Sequence, residues 1–345
     1  MPDRSSSVSA CSSITRACFS VFLGIAGAAQ GADTSGATEG LTWLKNMAAA
    51  SRQLNYSGTI VYQHRNHVET SRVVHYVNPS GGEIEKLEAL DGAPREVIRS
   101  NDQVICYLPS SKTVLIEERN RSARNFPALV PESLGGLSDS YTIRKEEVER
   151  IGGYDCQWIA LVPKDQLRYG RRFCAEVRSG LPLRAHTLNE KGERVESFAF
   201  SQLTIGETFS RDRVKSKYAD KSRAQNWRVE RSGFSSPSTP ADTGWVLNGP
   251  MLGFKKLMEA KRSIGGKSGS ISHIVFSDGL AAVSVFIEPM PRAPAAQSLS
   301  HQGAVNIYSR PHGSHFVTVL GEAPAATLMQ IANSLELKPT TAALQ

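Results

Sequence analysis

From Tyr56 to Ile205 the chain alternates apolar and polar residues with a period of two, a pattern sustained over about 150 residues. The alternation predicts strands at Tyr56–His64, Ser71–Val77, Glu83–Leu90, Arg95–Arg99, Val104–Leu108, Thr113–Glu118, Tyr141–Val148, Cys156–Val162, Tyr169–Arg178, Leu183–Leu188 and Glu193–Ile205. Turn chemistry separates them at Asn78-Pro79-Ser80-Gly81-Gly82, Asp91-Gly92, Pro109-Ser110-Ser111, Gly152-Gly153 and Glu190-Lys191-Gly192. One large antiparallel sheet results. So many short strands must curl, either closing into a barrel or covering one face with the few helices available. One such helix is predicted at Leu41–Leu54, where Leu41, Leu44, Met47, Ala48 and Leu54 form an apolar stripe. Asn125–Ser140 breaks the strand pattern and is expected to form a helix or lid on the same face.

A half-barrel covered by helices can leave an apolar cavity, and hydrocarbon burial needs shape without specific chemistry. By alternation the cavity candidates are Trp43, Met47, Tyr56, Ile60, Tyr62, Val73, Trp158, Phe198 and Phe200. The alternative is that these side chains simply pack a core.

Composition shifts between Arg211 and Arg231. Arg211, Arg213, Lys215, Lys217, Lys221, Arg223, Arg228 and Arg231 face only Asp212, Asp220 and Glu230, and a Ser/Pro/Thr/Gly-rich run, Ser232–Gly244, follows. Residues 211–244 therefore read as an interdomain linker with a positive face, with a solvated charge run as the plainer alternative. The first domain spans 33–210. A smaller α+β unit spans 245–345, with strands at Trp245–Leu247, Gly303–Ser309 and His315–Leu320, an ambiguous segment Gly253–Arg262, and a terminal helix presenting Leu328, Ile331, Ala332 and Leu335 after Pro324. At its centre Ile271–Pro289 reads as a hairpin about Asp278-Gly279. A two-residue loop would pair Ser277 with Leu280, Phe276 with Ala281, Ile274 with Val283, His273 with Ser284 and Ser272 with Val285. Ile274, Phe276, Val283, Val285 and Ile287 then share one face, and Ile271, Val275, Leu280, Ala282 and Phe286 share the other with His273 and Ser284. Both faces are apolar, so a helix is expected over one and another domain or partner against the other.

At 345 residues, 40% hydrophobic and 21% charged, the chain can hold two ordinary cores. A net charge of +7 favours acidic partners without choosing among them. The amino terminus narrows the choice. Arg4 and Arg16 precede a short apolar run, Ala17–Ala29, and Ala26-Gly27-Ala28 suits a small-residue cleavage site, so residues 1–32 read as a secretory signal cut between Ala28 and Ala32, with an uncleaved anchor as the alternative. An exported protein does not meet nucleic acid, and no second segment approaches membrane-spanning length. Export also leaves Cys106, Cys156 and Cys174 in an oxidising compartment. Cys156 and Cys174 flank a hairpin and could form a cross-strand disulfide; buried free thiols are the other reading, and both stay open.

No catalytic constellation emerges. His64/His67 and His312/His315 are spaced HxxH without a third ligand, so no metal or other cofactor is expected. Gly266-Lys267-Ser268 lacks the first glycine of a phosphate loop, since Lys261 stands there, and no GxSxG elbow occurs. The chain reads as a binding protein, not an enzyme.

Several long motifs resemble the RseB/MucB family: SDGLAAVSVFIEP from Ser277, GAVNIYSRPHGSHFVTVLGEAP from Gly303, LKNMAAASRQLNYSGTIVYQ from Leu44, LDGAPREVI from Leu90, CYLP from Cys106, FPALVP from Phe126 and PKDQLRYGRRF from Pro163. They lie in both domains in the family's order and cover nearly all the mature chain. The resemblance implies a periplasmic regulator of the sigma-E envelope stress response, whose first domain is similar to the lipoprotein carriers LolA and LolB. It further implies binding to the periplasmic part of an RseA/MucA-like membrane anti-sigma factor, protection of that partner from proteolysis, and release by lipid, lipopolysaccharide or mislocalised lipoprotein. A LolA-like lipid or lipoprotein carrier is the alternative. Partner-contact candidates are Arg211, Arg213, Lys215, Arg223, Arg228 and Arg231 in the basic stretch, with His273, Ser284 and Phe286 on the second hairpin face. No family motif covers Cys156 and Cys174, and self-association stays open.

Overall fold

The computed structural model describes residues 31–119, 125–208, 210–232, 241–249, 251, 253–263, 270–291 and 296–338. Residues 1–30 of the leader, the centre of the Ser/Pro-rich run and Gly266-Lys267-Ser268 lie outside the described residues. The elements run α1 (Gly31–Gln53), β1 (Tyr56–His64), β2 (His67–Val77), β3 (Glu83–Ala89), β4 (Glu96–Arg99), β5 (Gln103–Leu108), β6 (Thr113–Glu118), α2 (Leu137–Ser140), β7 (Tyr141–Ile151), β8 (Tyr154–Pro163), β9 (Gly170–Glu176), β10 (Pro182–Leu188) and β11 (Arg194–Ile205). They continue with α3 (Ala219–Ala224), β12 (Arg228–Ser232), β13 (Trp245–Leu247), β14 (Lys255–Ser263), β15 (Ser270–Ser277), β16 (Ala282–Pro289), β17 (Ser298–Gln302), β18 (Val305–His312), β19 (His315–Gly321), α4 (Ala325–Asn333) and β20 (Leu335–Leu337).

All eleven expected strands of the first domain form, and with β12 they make one twelve-stranded sheet, not a closed barrel, in the order β12-β6-β5-β4-β3-β2-β1-β11-β10-β9-β8-β7. Two local meanders meet where β1 pairs with β11, placing Tyr62 opposite Phe198 and Ile60 opposite Phe200. This order has a consequence for the connection from β6 to β7. It must cross from one flank of the sheet to the opposite edge, and it crosses the face that α1 already covers. Phe126 lands on Phe198 and Phe200, with ring centroids 5.7 and 5.2 Å away. Phe126, Val130 and Leu137 join Leu44, Met47 and Ala48 of α1 in the same core. The lid is therefore real but mostly irregular, with only Leu137–Ser140 helical.

The basic stretch departs from expectation in its first half. Residues 211–232 are not a loose linker: after a 3-10 turn at Arg211–Val214 and the short helix α3, β12 adds to β6 in parallel, the one parallel pairing in this sheet. Buried Trp227, with Tyr218 and Ala219, packs on Tyr107, Val114, Ile98, Ile105 and Ile116 of the outer face. Ser216 Oγ and the Lys217 N–H donate to the buried Glu96 carboxylate at 2.6 and 3.1 Å. Apolar burial and two hydrogen bonds to one oxygen of the buried Glu96 carboxylate thus hold the cationic segment down despite its charge.

In the small domain a six-stranded sheet runs β14-β15-β16-β19-β18-β17, and β13 pairs with β20. The ambiguous segment is strand β14, and Leu335 belongs to β20 instead of ending the helix. Ile274, Phe276, Val283, Val285 and Ile287 pack with Leu328, Ile331 and Ala332 of α4, as the stripe predicts. The central hairpin has a four-residue loop in place of two, so Ser277 faces Ala282, Phe276 faces Val283 and His273 faces Phe286. The cause is the Asp278 side chain. Its Oδ1 accepts from the Leu280 and Ala281 N–H groups at 2.8 and 2.7 Å, and Ser277 Oγ donates to the Ala281 carbonyl at 2.7 Å. Because the register moved by two, the faces did not change.

Candidate functional site

The two domains are joined by exchanged loops. The β15–β16 tip enters the first domain, where Tyr141 Oη and Arg168 Nη1 donate to Asp278 Oδ2 at 2.9 and 2.7 Å. Leu280 packs into the first domain's core, while Leu167, from the β8–β9 loop, packs into the second domain's core. Arg168 also donates through Nε to Asp165 Oδ1 at 2.9 Å and lies over the Phe254 ring at 4.9 Å. Burial opposes the Arg168 charge, yet the Asp165 hydrogen bond and the Asp278 carboxylate raise its pKa overall. Burial and Asp278 likewise push Tyr141 far above the usual phenol range. Beside this joint, Glu196 accepts from Tyr62 Oη at 3.2 Å and from the Ala304 N–H at 3.2 Å, and Arg171 donates to Glu322 Oε2 at 2.5 Å. Removing one partner of such a buried pair leaves the other charge uncompensated, so the two loops must be matched together. Sequence reasoning missed this joint, although PKDQLRYGRRF carries Asp165 and Arg168 three apart and SDGL carries Asp278.

The expected lipid cavity is largely filled. Met47, Tyr56, Ile60, Val73 and Phe200 are buried in one packed cluster, with Trp43 and Phe198 against it. Tyr56 stacks on His75 at 4.7 Å, and Tyr62 packs tilted against Phe198 at 4.7 Å. Trp158 does not belong to this face. Its neighbour Ile159 pairs with Phe173 on the inner face, so Trp158 points outward with Cys174, its register partner. There its Nε1 donates to Glu149 Oε2 at 2.7 Å and the Arg172 guanidinium lies over its ring at 4.5 Å. Burial, reinforced by Arg194, Arg184 and Arg172, pushes the adjacent His186 down to about 4. Cys156 and Cys174 are joined as a disulfide between β8 and β9, their Cα atoms 5.5 Å apart. Cys106 is a free thiol whose pKa burial pushes up.

Beyond the reach of α1 and the crossing segment, the inner face is open. Val73, Leu87, Val97, Cys106 and Leu115 stand in register across β2 to β6. Val73 is buried and the other four are half-exposed. One row along, His75, Glu85 and Arg99 are in register. They line a hollow of about 510 Å³ closed by the end of α1 through Ser51, Arg52 and Gln53, and by Glu83 and Arg119. Arg119 Nη1 lies 2.6 Å from Glu83 Oε1, Arg52 Nη1 lies 3.1 Å from Glu132 Oε1, and Arg99 bonds Glu85. The His75 ring and Arg119 hold Glu83 down to about 2, against the opposing effect of burial. An apolar strip bordered by polar charge suits an amphiphile's tail and head.

The partner-contact candidates fall into two sets. Lys215, Arg223 and Arg228 are exposed, each beside an acid near in sequence: Asp212, Asp220 and Glu230 respectively, and by register Arg228 shares the face of Thr113 and Leu115, opposite Val114 and Ile116. Arg213 reaches Glu207 at 3.1 Å, and Arg211 and Arg231 are exposed. His273, Ser284 and Phe286 lie on the small domain's sheet, where His273 and Phe286 stack at 4.2 Å. Ser284 lines an interdomain hollow of about 240 Å³ with Leu129, Phe173 and Leu280. Among the described residues no group of three or more His, Cys, Asp or Glu side chains could hold a metal.

A family model described as the MucB/RseB N-terminal domain matches residues 39–218, and one described as the MucB/RseB C-terminal domain matches residues 239–336. Sigma factor AlgU regulatory protein MucB of Pseudomonas aeruginosa is 29% identical over 329 residues, 92% of this chain and 94% of that protein. Sigma-E factor regulatory protein RseB of Haemophilus influenzae is 24% identical over 295 residues, 86% of this chain and 90% of that protein. Among solved structures, the complex of P. aeruginosa MucA and MucB superposes with a TM-score of 0.68 at 27% identity, covering 87% of this chain and 99% of that one. MucB on its own superposes with a TM-score of 0.61 at 27% identity, covering 88% and 99%.

Proposed function

The chain belongs to the MucB/RseB family, and from that premise we propose that it is an exported, periplasmic, non-catalytic regulator that binds the periplasmic domain of a MucA-like membrane anti-sigma factor. One observation carries the reading. The similarity to MucB in its complex with MucA runs through both domains and nearly the whole of that chain, so it spans the interlocked joint as well as either domain alone. A lipid carrier would need only the first domain. Arg211, Arg213, Lys215, Arg223, Arg228 and Arg231, along the docked basic segment, and His273, Ser284 and Phe286 are its contact candidates.

Lipid is the release signal in this reading, and the uncovered strip Leu87–Val97–Cys106–Leu115 supports it. A lipid that binds the partner-free form better than the partner-bound form lowers partner affinity by that difference. Protease protection tests the whole reading. The mature chain should slow cleavage of a MucA-like periplasmic domain by the regulatory protease in vitro. Unchanged cleavage at saturating protein would reject it.

A further inference from the structure

The hollow under the end of α1 contains three guanidinium groups and three carboxylates, and every cation is already matched. Arg52 meets Glu132, Arg99 meets Glu85, and Arg119 meets Glu83, which His75 also approaches at 3.7 Å. The Glu83, Glu85, Arg99 and Arg119 side chains are at most 26% exposed. One donor is left over, because the buried Arg52 Nε has no hydrogen-bond partner among the described residues.

We propose that this hollow is a head-group subsite for a zwitterionic amphiphile, one carrying a phosphate ester and an ammonium group, whose acyl chain lies on the adjoining apolar strip. The proposal rests on the lipid reading above. Its argument is charge balance. An anionic head group entering the hollow could draw Arg99 or Arg119 away only by leaving Glu85 or Glu83 without its counter-charge in a partly desolvated space. A cationic head group would strand an arginine in the same way. A zwitterion exchanges both ends at once: its phosphate takes charge-assisted bonds from Arg52 Nε and Arg119, and its ammonium takes the Glu83 carboxylate that Arg119 leaves, so no charge is stranded. A neutral sugar head group would strand nothing either, but it would form neither charged bond.

Cys106 supplies the readout. It stands on the strip between Val97 and Leu115 and is half-exposed. In the mature chain, with Cys156 and Cys174 joined, it is the remaining thiol. Maleimide labelling of Cys106 should be measured against lyso-phosphatidylethanolamine, lyso-phosphatidylglycerol and an alkyl glucoside of equal chain length, each below its micellar concentration. The zwitterion should protect at about ten-fold lower concentration than either of the others, the scale of one charge-assisted hydrogen bond. Glu85→Gln frees Arg99 and should shift the preference toward the glycerol lipid. Equal protection by all three, a preference for the anion or the sugar, or an unshifted preference in Glu85→Gln overturns the subsite and leaves the lipid reading standing. Protection by none of them overturns the lipid reading itself.

Discussion

The inner face of the large sheet is one continuous surface with two fates. Over β1, β2 and β7 to β11 it is sealed by α1 and by the segment that crosses from β6 to β7; over β3 to β6 it is left bare, carrying Leu87, Val97, Cys106 and Leu115 half-exposed. Both halves are apolar, so hydropathy does not separate them. Length and connectivity do. α1 packs on β7, β8 and β10, and its last turn reaches only as far as His75. The crossing segment places Phe126 at the seam between β1 and β11 and then turns toward β7. One half is therefore a core, and the other is left open to solvent.

That contrast should appear most strongly in stability. Phe126→Ala removes a buried ring from contact with Phe198 and Phe200 and should cost about 3–5 kcal/mol in denaturant unfolding. Leu87→Ala, on the bare half, should cost roughly 1 kcal/mol because that side chain already meets water. Similar losses at both positions would mean that something seals the second half too.

A smaller effect comes from adding volume. Ala185 is 3% exposed on the sealed half, in register between Phe173 and Phe198. Ala185→Phe should overpack it and lower stability by about 1–3 kcal/mol. Val97→Phe grows into open space and should leave the unfolding midpoint nearly unchanged. It should also reduce lipid protection of Cys106, since it fills the strip itself.

Much of this was legible in the alternation. Every expected strand of the first domain formed, because each hairpin is set by local turn chemistry. The pairing of β1 with β11 has no local signal, and it alone decides where the β6–β7 connection must run. Alternation placed Trp158 among the cavity residues, but register puts its neighbour Ile159 on the inner face and sends Trp158 to the other. The basic run read as a linker because charge dominates its composition; the spaced Val214, Tyr218 and Trp227 were the docking signal within it. Asp278-Gly279 marked a turn correctly, but its carboxylate does more than shape the turn. Reaching Arg168 and Tyr141, more than a hundred residues away, is a tertiary event that spacing does not encode.

Acid should separate the two halves by the smallest margin. The sealed half is built from Met47, Ile60, Phe126 and Phe200, which do not titrate, whereas Glu83 borders the bare half and is held down to about 2 from its ordinary 4.5. A carboxylate with a depressed folded-state pKa binds protons more readily when unfolded. Its contribution to stability is therefore complete above 4.5 and is lost as pH falls from there toward about 2. Unfolding midpoints followed through that window should drop more steeply for the parent than for Glu83→Gln, which has no proton to take up there. The other carboxylates add the same slope to both proteins, so the difference between the two curves isolates Glu83. Parallel curves would remove the His75–Glu83–Arg119 cluster from the acid response and leave the bare half as indifferent to pH as the sealed one.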